Sequence, residues 1–222
     1  MHCYCHLAMA SEEIIKAVKE ALDEKNNKKR KFVQSVDLVI NLQDVDLNKP
    51  ENRIDEEIEL PKGRGKRAKI AVFASGELAF KAKEVADEVI TPEQIKELAE
   101  DKKKAKKLAE KYDFFLAEAP LMPTIGRSLG RIFAPRGKMP KPIPPDADIT
   151  SIIKKLRNSI RVRSKDKPTF HCLVGREDMK PEDIAENIEA ILDRVESKLE
   201  RGRMNIKSVY VKTTMGKAIK VI

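Results

Sequence analysis

Lys69-Ile-Ala-Val-Phe-Ala74, followed at once by Ser75-Gly76, decides the architecture of this chain. The run is short, apolar and without alternation, which predicts a strand buried on both faces, as in a parallel sheet. A helix is expected to begin near Glu77. Further on, Thr91-Pro92-Glu93-Gln94 has capping-box spacing with proline in the first turn, so a second helix starts there. A lysine-rich helix over Asp101–Lys111 precedes another buried strand at Phe114-Phe-Leu-Ala117, and Pro120 and Met122-Pro123 introduce a helix toward Phe133. Strand and helix alternate throughout this block, which implies an open parallel α/β sheet. Ala134 to Pro145 reads as a loop too proline-rich for regular structure, and a helix from Asp148 to about Asn158 closes the block.

The flanking segments have a different rhythm. Upstream, a helix from about Ser11 carries Ile14, Ile15, Val18 and Leu22 at helical spacing, and an acid-free basic run, Lys25 to Lys31, follows it. Phe32 to Leu42 then alternates: Phe32, Val36, Leu38, Ile40 and Leu42 share one parity, and Ser35, Asp37 and Asn41 the other. This predicts a half-buried strand showing Ser35 on its open face. An acidic loop with Asn48-Lys-Pro-Glu-Asn-Arg53 at its tip leads to a strand around Ile58 to Leu60, and Pro61-Lys-Gly-Arg-Gly-Lys-Arg67 breaks the pattern at a natural boundary. Downstream, strands are expected at Ile160–Arg163 and Thr169–Val174. A helix opens at Pro181, with Glu182 and Asp183 suited to its N-terminal dipole, and shows one stripe of Ile184, Ile188, Ile191, Val195 and Leu199. The final strand runs from about Ile206 to Thr213.

Composition bounds the function. The 222 residues are 41% apolar, enough for packed cores, and 36% charged with a net charge of +9, which favours anionic partners. Aromatics make up only 5% and Trp is absent, which weakens a single-strand binder built on rows of stacking platforms. No stretch is long and apolar enough to cross a bilayer, and Met1 to Met9 lacks a signal peptide's basic start and apolar middle. Three cysteines in a lysine-rich chain suggest a reducing, intracellular setting. His2, Cys3, Cys5 and His6 match no zinc spacing, so no metal is expected; Met9 reads as the working start, with 1–8 an extension.

No catalytic constellation emerges. Ser75-Gly76 and Gly63-Arg-Gly65 lack the full phosphate-loop and dinucleotide patterns and read as structural turns. His171 lies alone in a strand without a placed nucleophile, Cys172 is a core residue, and Glu56, Glu57 and Glu59 are a solvated strand edge. Five basic segments contain few or no acids: Lys25–Lys31, Lys62–Lys69, Arg127–Lys141, Lys154–Lys167 and Arg201–Lys220. No acid follows Glu200, and Ser208-Val-Tyr-Val-Lys-Thr-Thr-Met-Gly216 runs a strand into a hydroxyl-rich turn ending in glycine. Such a turn in a positive field suits a nucleic acid.

As a set, Lys31-Phe-Val-Gln-Ser-Val-Asp37, Pro135-Arg-Gly-Lys-Met-Pro-Lys-Pro142, Asp166-Lys-Pro-Thr-Phe-His-Cys-Leu-Val-Gly175 and the Ser208–Gly216 segment resemble the family of the first protein of the large ribosomal subunit, the ribosomal L-one family. The resemblance runs from about Met9 to the end, and the Asn48–Arg53 loop is similar to the archaeal branch. It implies an α+β fold of two domains: a split β-α-β antiparallel-sheet domain, 1–67 and 160–222, interrupted by a Rossmann-like three-layer α/β domain, 68–159, with a two-stranded hinge between them. It implies no enzyme activity and no cofactor. The partners implied are large-subunit ribosomal RNA at the mobile stalk beside the tRNA exit site, exit-site tRNA, and the protein's own operon mRNA through a mimic site; the free protein is a monomer, cytoplasmic and destined for the large subunit.

Carried over motif by motif, the RNA contacts are Lys31, Phe32, Gln34 and Ser35; Lys165, Lys167 and His171; and Ser208, Thr214, Met215 and Gly216. Thr213 and the loop carrying Arg136 and Lys138 are further candidates, the loop in the assembled ribosome. In these roles lysines neutralise phosphates, hydroxyls bond ribose 2′-OH groups, Gly216 lets the backbone approach closely and Met215 covers a sugar or base. Two other readings compete: an enzyme using the inner α/β domain as a nucleotide site, and a general basic protein of DNA or membrane surfaces.

Overall fold

A computed structural model describes residues 3–47, 49, 52–144, 148–164 and 167–222, with side chains from residue 12 onward. The side chains of the His2–His6 segment and parts of the Asn48–Arg53 loop therefore lie outside the described residues. The fold is mixed α/β with one antiparallel and one parallel four-stranded sheet. The chain divides into two compact units, Met1–Lys66 with Asn158–Ile222, and Arg67–Arg157.

The discontinuous unit begins with α1 (Cys3–Leu22), which starts well before Ser11. Cys3 to Ala10 contains neither glycine nor proline, and lengthening a nucleated helix gains a hydrogen bond for each residue fixed. β1 (Ser35–Leu42) buries every second residue, with Val36, Leu38 and Ile40 fully inside. Phe32 does not join that face: the chain bends at residues 31–32, and the buried position at the strand entry belongs to Gln34. β2 (Asp55–Glu59) leads out of this unit toward Lys66.

The second unit opens with β3 (Ile70–Phe73), α2 (Gly76–Val85), β4 (Glu88–Ile90), α3 (Pro92–Glu100) and α4 (Lys102–Lys111). β5 (Phe114–Glu118), α5 (Met122–Phe133), β6 (Lys141–Ile143) and α6 (Ile149–Asn158) complete it. The sheet order is β4-β3-β5-β6, all pairs parallel. Ala71, Phe73, Phe115 and Ala117 pack against α3, α4 and α5, while Ile70, Val72 and Leu116 pack against α2 and α6. Burial on both faces explains why Ile70–Phe73 shows no alternation. The Thr91 capping box forms, with the Thr91 N–H donating to Gln94 Oε1 at 3.1 Å. The Ala134–Pro145 stretch is not wholly irregular. Lys141–Ile143 pairs with Leu116–Glu118 as an edge strand, where Pro142 needs no N–H on its open side. β4 and β6 are three-residue edges, too short to leave a period in the sequence.

The chain then re-enters the first unit through β7 (Ser159–Arg163), antiparallel to β2, and continues into β8 (Thr169–Arg176), α7 (Pro181–Lys198), β9 (Ile206–Thr213) and β10 (Ile219–Lys220). The main sheet has the order β10-β9-β1-β8 and is antiparallel throughout. Its even-numbered β1 positions pack with Phe170, Cys172, Val174, Val209 and Val211 against α1 and α7. Glu56 is more than a solvated edge residue: it pairs with Arg194 at 2.7 Å and Lys198 at 3.4 Å. Leu38 lies fully buried at the middle of this core, so Leu38→Ala is expected to lower unfolding free energy by about 2–5 kcal/mol in urea titrations.

Candidate nucleic-acid interface

Helices cover one face of the antiparallel sheet, and the other face carries a different set of side chains. Register pairs place Leu173, Asp37 and Lys212 in one row, His171, Val39, Tyr210 and Lys220 in the next, and Thr169, Asn41 and Ser208 in a third. His171, Thr169 and Lys220 are exposed, and Asp37, Val39, Asn41, Tyr210 and Lys212 are half-buried. The third row is hydrogen-bonded across the strands: Thr169 Oγ1 donates to Asn41 Oδ1, and Asn41 Nδ2 donates to Ser208 Oγ, each at 2.8 Å. Ser208 is itself buried, so its hydroxyl braces this row from within the sheet. Lys167 is exposed just ahead of β8, at this same end of the sheet.

At the opposite end of β1 the closing turn meets the strand entry. Thr214 Oγ1 accepts from the Ser35 N–H at 3.1 Å, and the Thr214 N–H donates to the Ser35 carbonyl at 3.0 Å. Met215 is 58% exposed and Phe32 53%, with Lys31 exposed beside Phe32. Beneath them lies a closed polar cluster. Gln34 Nε2 donates to Asn27 Oδ1 at 2.6 Å, Thr213 Oγ1 donates to the same oxygen at 3.0 Å, and Gln34 Oε1 accepts from the Met215 N–H at 3.0 Å. Asn27 Nδ2 donates to Glu177 Oε2 at 3.2 Å, which completes the amide's partners.

These partners change the roles of three expected contacts. Gln34 and Thr213 have no exposed surface, so they shape the turn from below and offer nothing to a ligand directly. Gly216 is required internally: an added Cβ would collide with Thr213 Oγ1 and come within 3.0 Å of the Asn26 carbonyl oxygen. The expected residues also form no single cluster. Lys31, Phe32, Ser35, Thr214 and Met215 sit at one end of β1, and Lys167 and Ser208 sit at the other. Six residues separate those ends, about 20 Å at the usual rise of a strand. His171 lies midway, opposite Val39, and Lys165 lies outside the described residues.

Residues 7–217 match the model of the ribosomal protein L1p/L10e family. The chain belongs to that family. A protein named large ribosomal subunit protein uL1 from Archaeoglobus fulgidus is 56% identical over 212 residues, spanning 95% of this chain and 98% of that protein. The uL1 of Methanocella arvoryzae is 54% identical over 215 residues, 96% of this chain and 100% of that protein. That of Haloferax volcanii is 49% identical over 211 residues, 95% and 99% of the two chains.

The candidate groups in the second unit are occupied. Lys138 Nζ donates to the carbonyls of Ala109 at 2.8 Å and Tyr112 at 2.7 Å, satisfying the C-terminal end of α4. Burial holds its pKa below the usual lysine value. Arg136 donates to the Ile132 carbonyl at 3.2 Å and lies 3.6 Å from Glu110. The loop is a helix stop whose cations serve α4 and α5. The Ser75-Gly76 turn is likewise filled from within: Glu118 Oε2 accepts from Ser75 Oγ at 2.7 Å and from the Ser75 N–H at 3.1 Å. A carboxylate stands where a nucleotide phosphate would need those donors. Cys172 is a core thiol, its pKa pushed up to about 12 by burial and by the nearby Asp37 charge.

Sequence reasoning missed Asn27, whose partners are 7, 150 and 186 residues away, and it missed Tyr210 and Lys212. Strand alternation through β9 was the available signal for the last two. Asp37 is the one acid in the rows of the open face. Burial raises its pKa above the ordinary carboxylate value, and His171 and Lys212 offset only part of that rise. The fold therefore favours the protonated form: this group's contribution to stability is fully present below its unfolded pKa and is lost as pH rises through the folded one. Asp37→Asn is expected to raise the urea midpoint at pH 7, with the gain shrinking toward pH 3. An equal gain at both pH values would show that ionisation of Asp37 plays no part.

Proposed function

We propose that this protein is a structural, non-enzymatic component of the large ribosomal subunit that reads a structured stem and internal loop of large-subunit ribosomal RNA with its discontinuous domain, 1–67 and 160–222. The observation that carries this reading is the exposed pair Phe32 and Met215, braced on a buried polar cluster, beside the basic run Lys28–Lys31 and at the end of a sheet face of polar, aromatic and basic residues. Family membership supplies the partner class. In this reading Lys31 and Lys167 neutralise phosphates, His171 contacts the RNA between them, Phe32 and Met215 pack against a base or sugar, and the buried Ser208 acts at that end of the sheet by bracing Asn41. Ser35 and Thr214 present backbone and hydroxyl groups at the same edge. Lys165 belongs to the same contact set by motif.

The inserted segment 68–159 acts as a Rossmann-like domain without a nucleotide, consistent with the Ser75–Glu118 pairing. In the ribosome the whole protein forms the mobile stalk beside the tRNA exit site and assists release of deacylated tRNA. When present in excess over ribosomal RNA it represses its own operon by binding a mimic site on the mRNA. Free protein is a cytoplasmic monomer.

A titration against a ribosomal stem fragment, with duplex DNA and anionic vesicles as competitors, tests the central claim. Specific reading requires that neither competitor displaces the stem at equal charge. Phe32→Ala and Met215→Ala are each expected to weaken stem binding, the phenylalanine by about 1–3 kcal/mol, with unchanged melting temperature. Loss of stability in place of affinity would assign both side chains to the fold. A leader-mRNA fragment should bind measurably but more weakly than the ribosomal stem; equal or undetectable binding would remove the feedback role.

A further inference from the structure

Residues 28–33, Lys-Lys-Arg-Lys-Phe-Val, are six consecutive exposed positions. They lie between two residues that are buried, Asn27 and Gln34, and those two are joined to each other by the 2.6 Å bond from Gln34 Nε2 to Asn27 Oδ1. The loop is thus closed at its base by a buried side-chain pair. Its two ends are held together before any ligand arrives. A second strap ties it to the closing turn: the Lys217 N–H donates to the Asn26 carbonyl at 3.2 Å, and Thr213 Oγ1 donates to Asn27.

Charge sorts this loop from the other basic segments. Arg161 and Arg163 both reach Asp55, Lys62 reaches Asp183 and Glu186, Arg136 reaches Glu110 and Arg176 reaches Asp178. Among the described residues no ion pair involves Lys28, Lys29, Arg30 or Lys31. Four adjacent uncompensated cations on a closed loop repel one another, and a polyanion laid across them relieves that repulsion while releasing its own counterions. The apolar tip, Phe32 and Val33, continues directly from the cations toward Met215.

We infer that loop 28–33 is a preorganised phosphate clamp for the RNA backbone next to the site read by Phe32 and Met215, with Lys28, Lys29 and Arg30 as the phosphate contacts and Asn27 as the residue that positions them. The inference rests on the RNA-reading function proposed above. It adds three contacts and a latch to that function, and it commits to the phosphodiester backbone as the group recognised, independent of base sequence.

The test measures affinity of the full chain for a ribosomal stem fragment across a salt series. Replacing Lys28, Lys29 and Arg30 together by alanine is expected to flatten the slope of log K against log salt by about two to three units, near 0.7–0.9 for each phosphate released. The charge-keeping set Lys28→Arg, Lys29→Arg and Arg30→Lys should retain the slope. A control set on α4, Lys102→Ala, Lys103→Ala and Lys106→Ala, also exposed, should leave it unchanged. Asn27→Ala keeps every cation yet should flatten the slope in part, an effect that lost stability alone would not produce. If Asn27→Ala does not fold, the triple variant decides, because its side chains are exposed and unpaired. An unchanged slope in the triple variant, or an equal loss in the α4 set, overturns the clamp. Failure of the unaltered protein to bind the stem would instead overturn the RNA-reading function itself.

Discussion

The arrangement at the end of the first strand depends on one buried amide. Asn27 Oδ1 accepts from both Gln34 and Thr213, its Nδ2 donates to Glu177, and Gln34 passes the connection on to the Met215 N–H. Gln34 and Thr213 have no access to water, so each polar atom there must find its partner within the protein or leave a desolvated group costing about 1–3 kcal/mol. That requirement couples four stretches of chain. The basic loop, the entry to β1, the residue after β8 and the closing turn can each shift only by orphaning a group in another. Gly216 adds a steric condition to the electrostatic one, since any side chain there would meet Thr213 and the Asn26 carbonyl. A surface built in this way holds its exposed residues at fixed spacing, which suits recognition of a structured polyanion better than flexible basic arms would.

The antiparallel sheet supplies the rest of the surface, since among the described residues of this unit one of its faces carries no helix. α1 and α7 are both spent on the opposite face, where the apolar β1 positions lie. What remains is a strip of polar, aromatic and basic groups whose members hold one another across strands, as Thr169, Asn41 and Ser208 do. Asp37 within this strip is electrostatically unfavourable: burial disfavours its ionised form, and its carboxylate would face an anionic partner. His171 and Lys212 beside it limit the cost. Among the described residues no hydrogen bond explains why an acid occupies this position.

The second unit makes the contrast that charge and availability are different properties. Its sheet is buried on both faces, so the polar groups nearest the sheet lie at strand ends and helix termini. Several of these are satisfied internally. Glu118 takes the Ser75 donors, Asp101 accepts from the N–H groups of Lys103 and Lys104 at the start of α4, and Lys138 closes the other end of that helix. A segment that reads as a basic loop in the sequence is thus a helix terminator in the fold.

Much of the fold was legible from residue order alone. The unbroken run at Ile70–Phe73, the alternation of β1 and the stripe along α7 each follow from which faces an element must bury, and the Thr91 capping box is a local hydrogen-bond pattern. Short edge strands were not legible, because three residues hold too little periodicity, and Pro142 is tolerated only where a neighbour is lacking. Of the site, the sequence by itself determined the chemistry: exposed cations, hydroxyls and a Thr-Met-Gly turn near the end of a basic chain. Only the tertiary structure decided which of those groups face outward. Gln34, Thr213 and Gly216 carry surface-like chemistry, yet they lie in the support because their partners are 7 to 186 residues away. Desolvation acts on groups that meet in space, and no local pattern records which distant residues will meet.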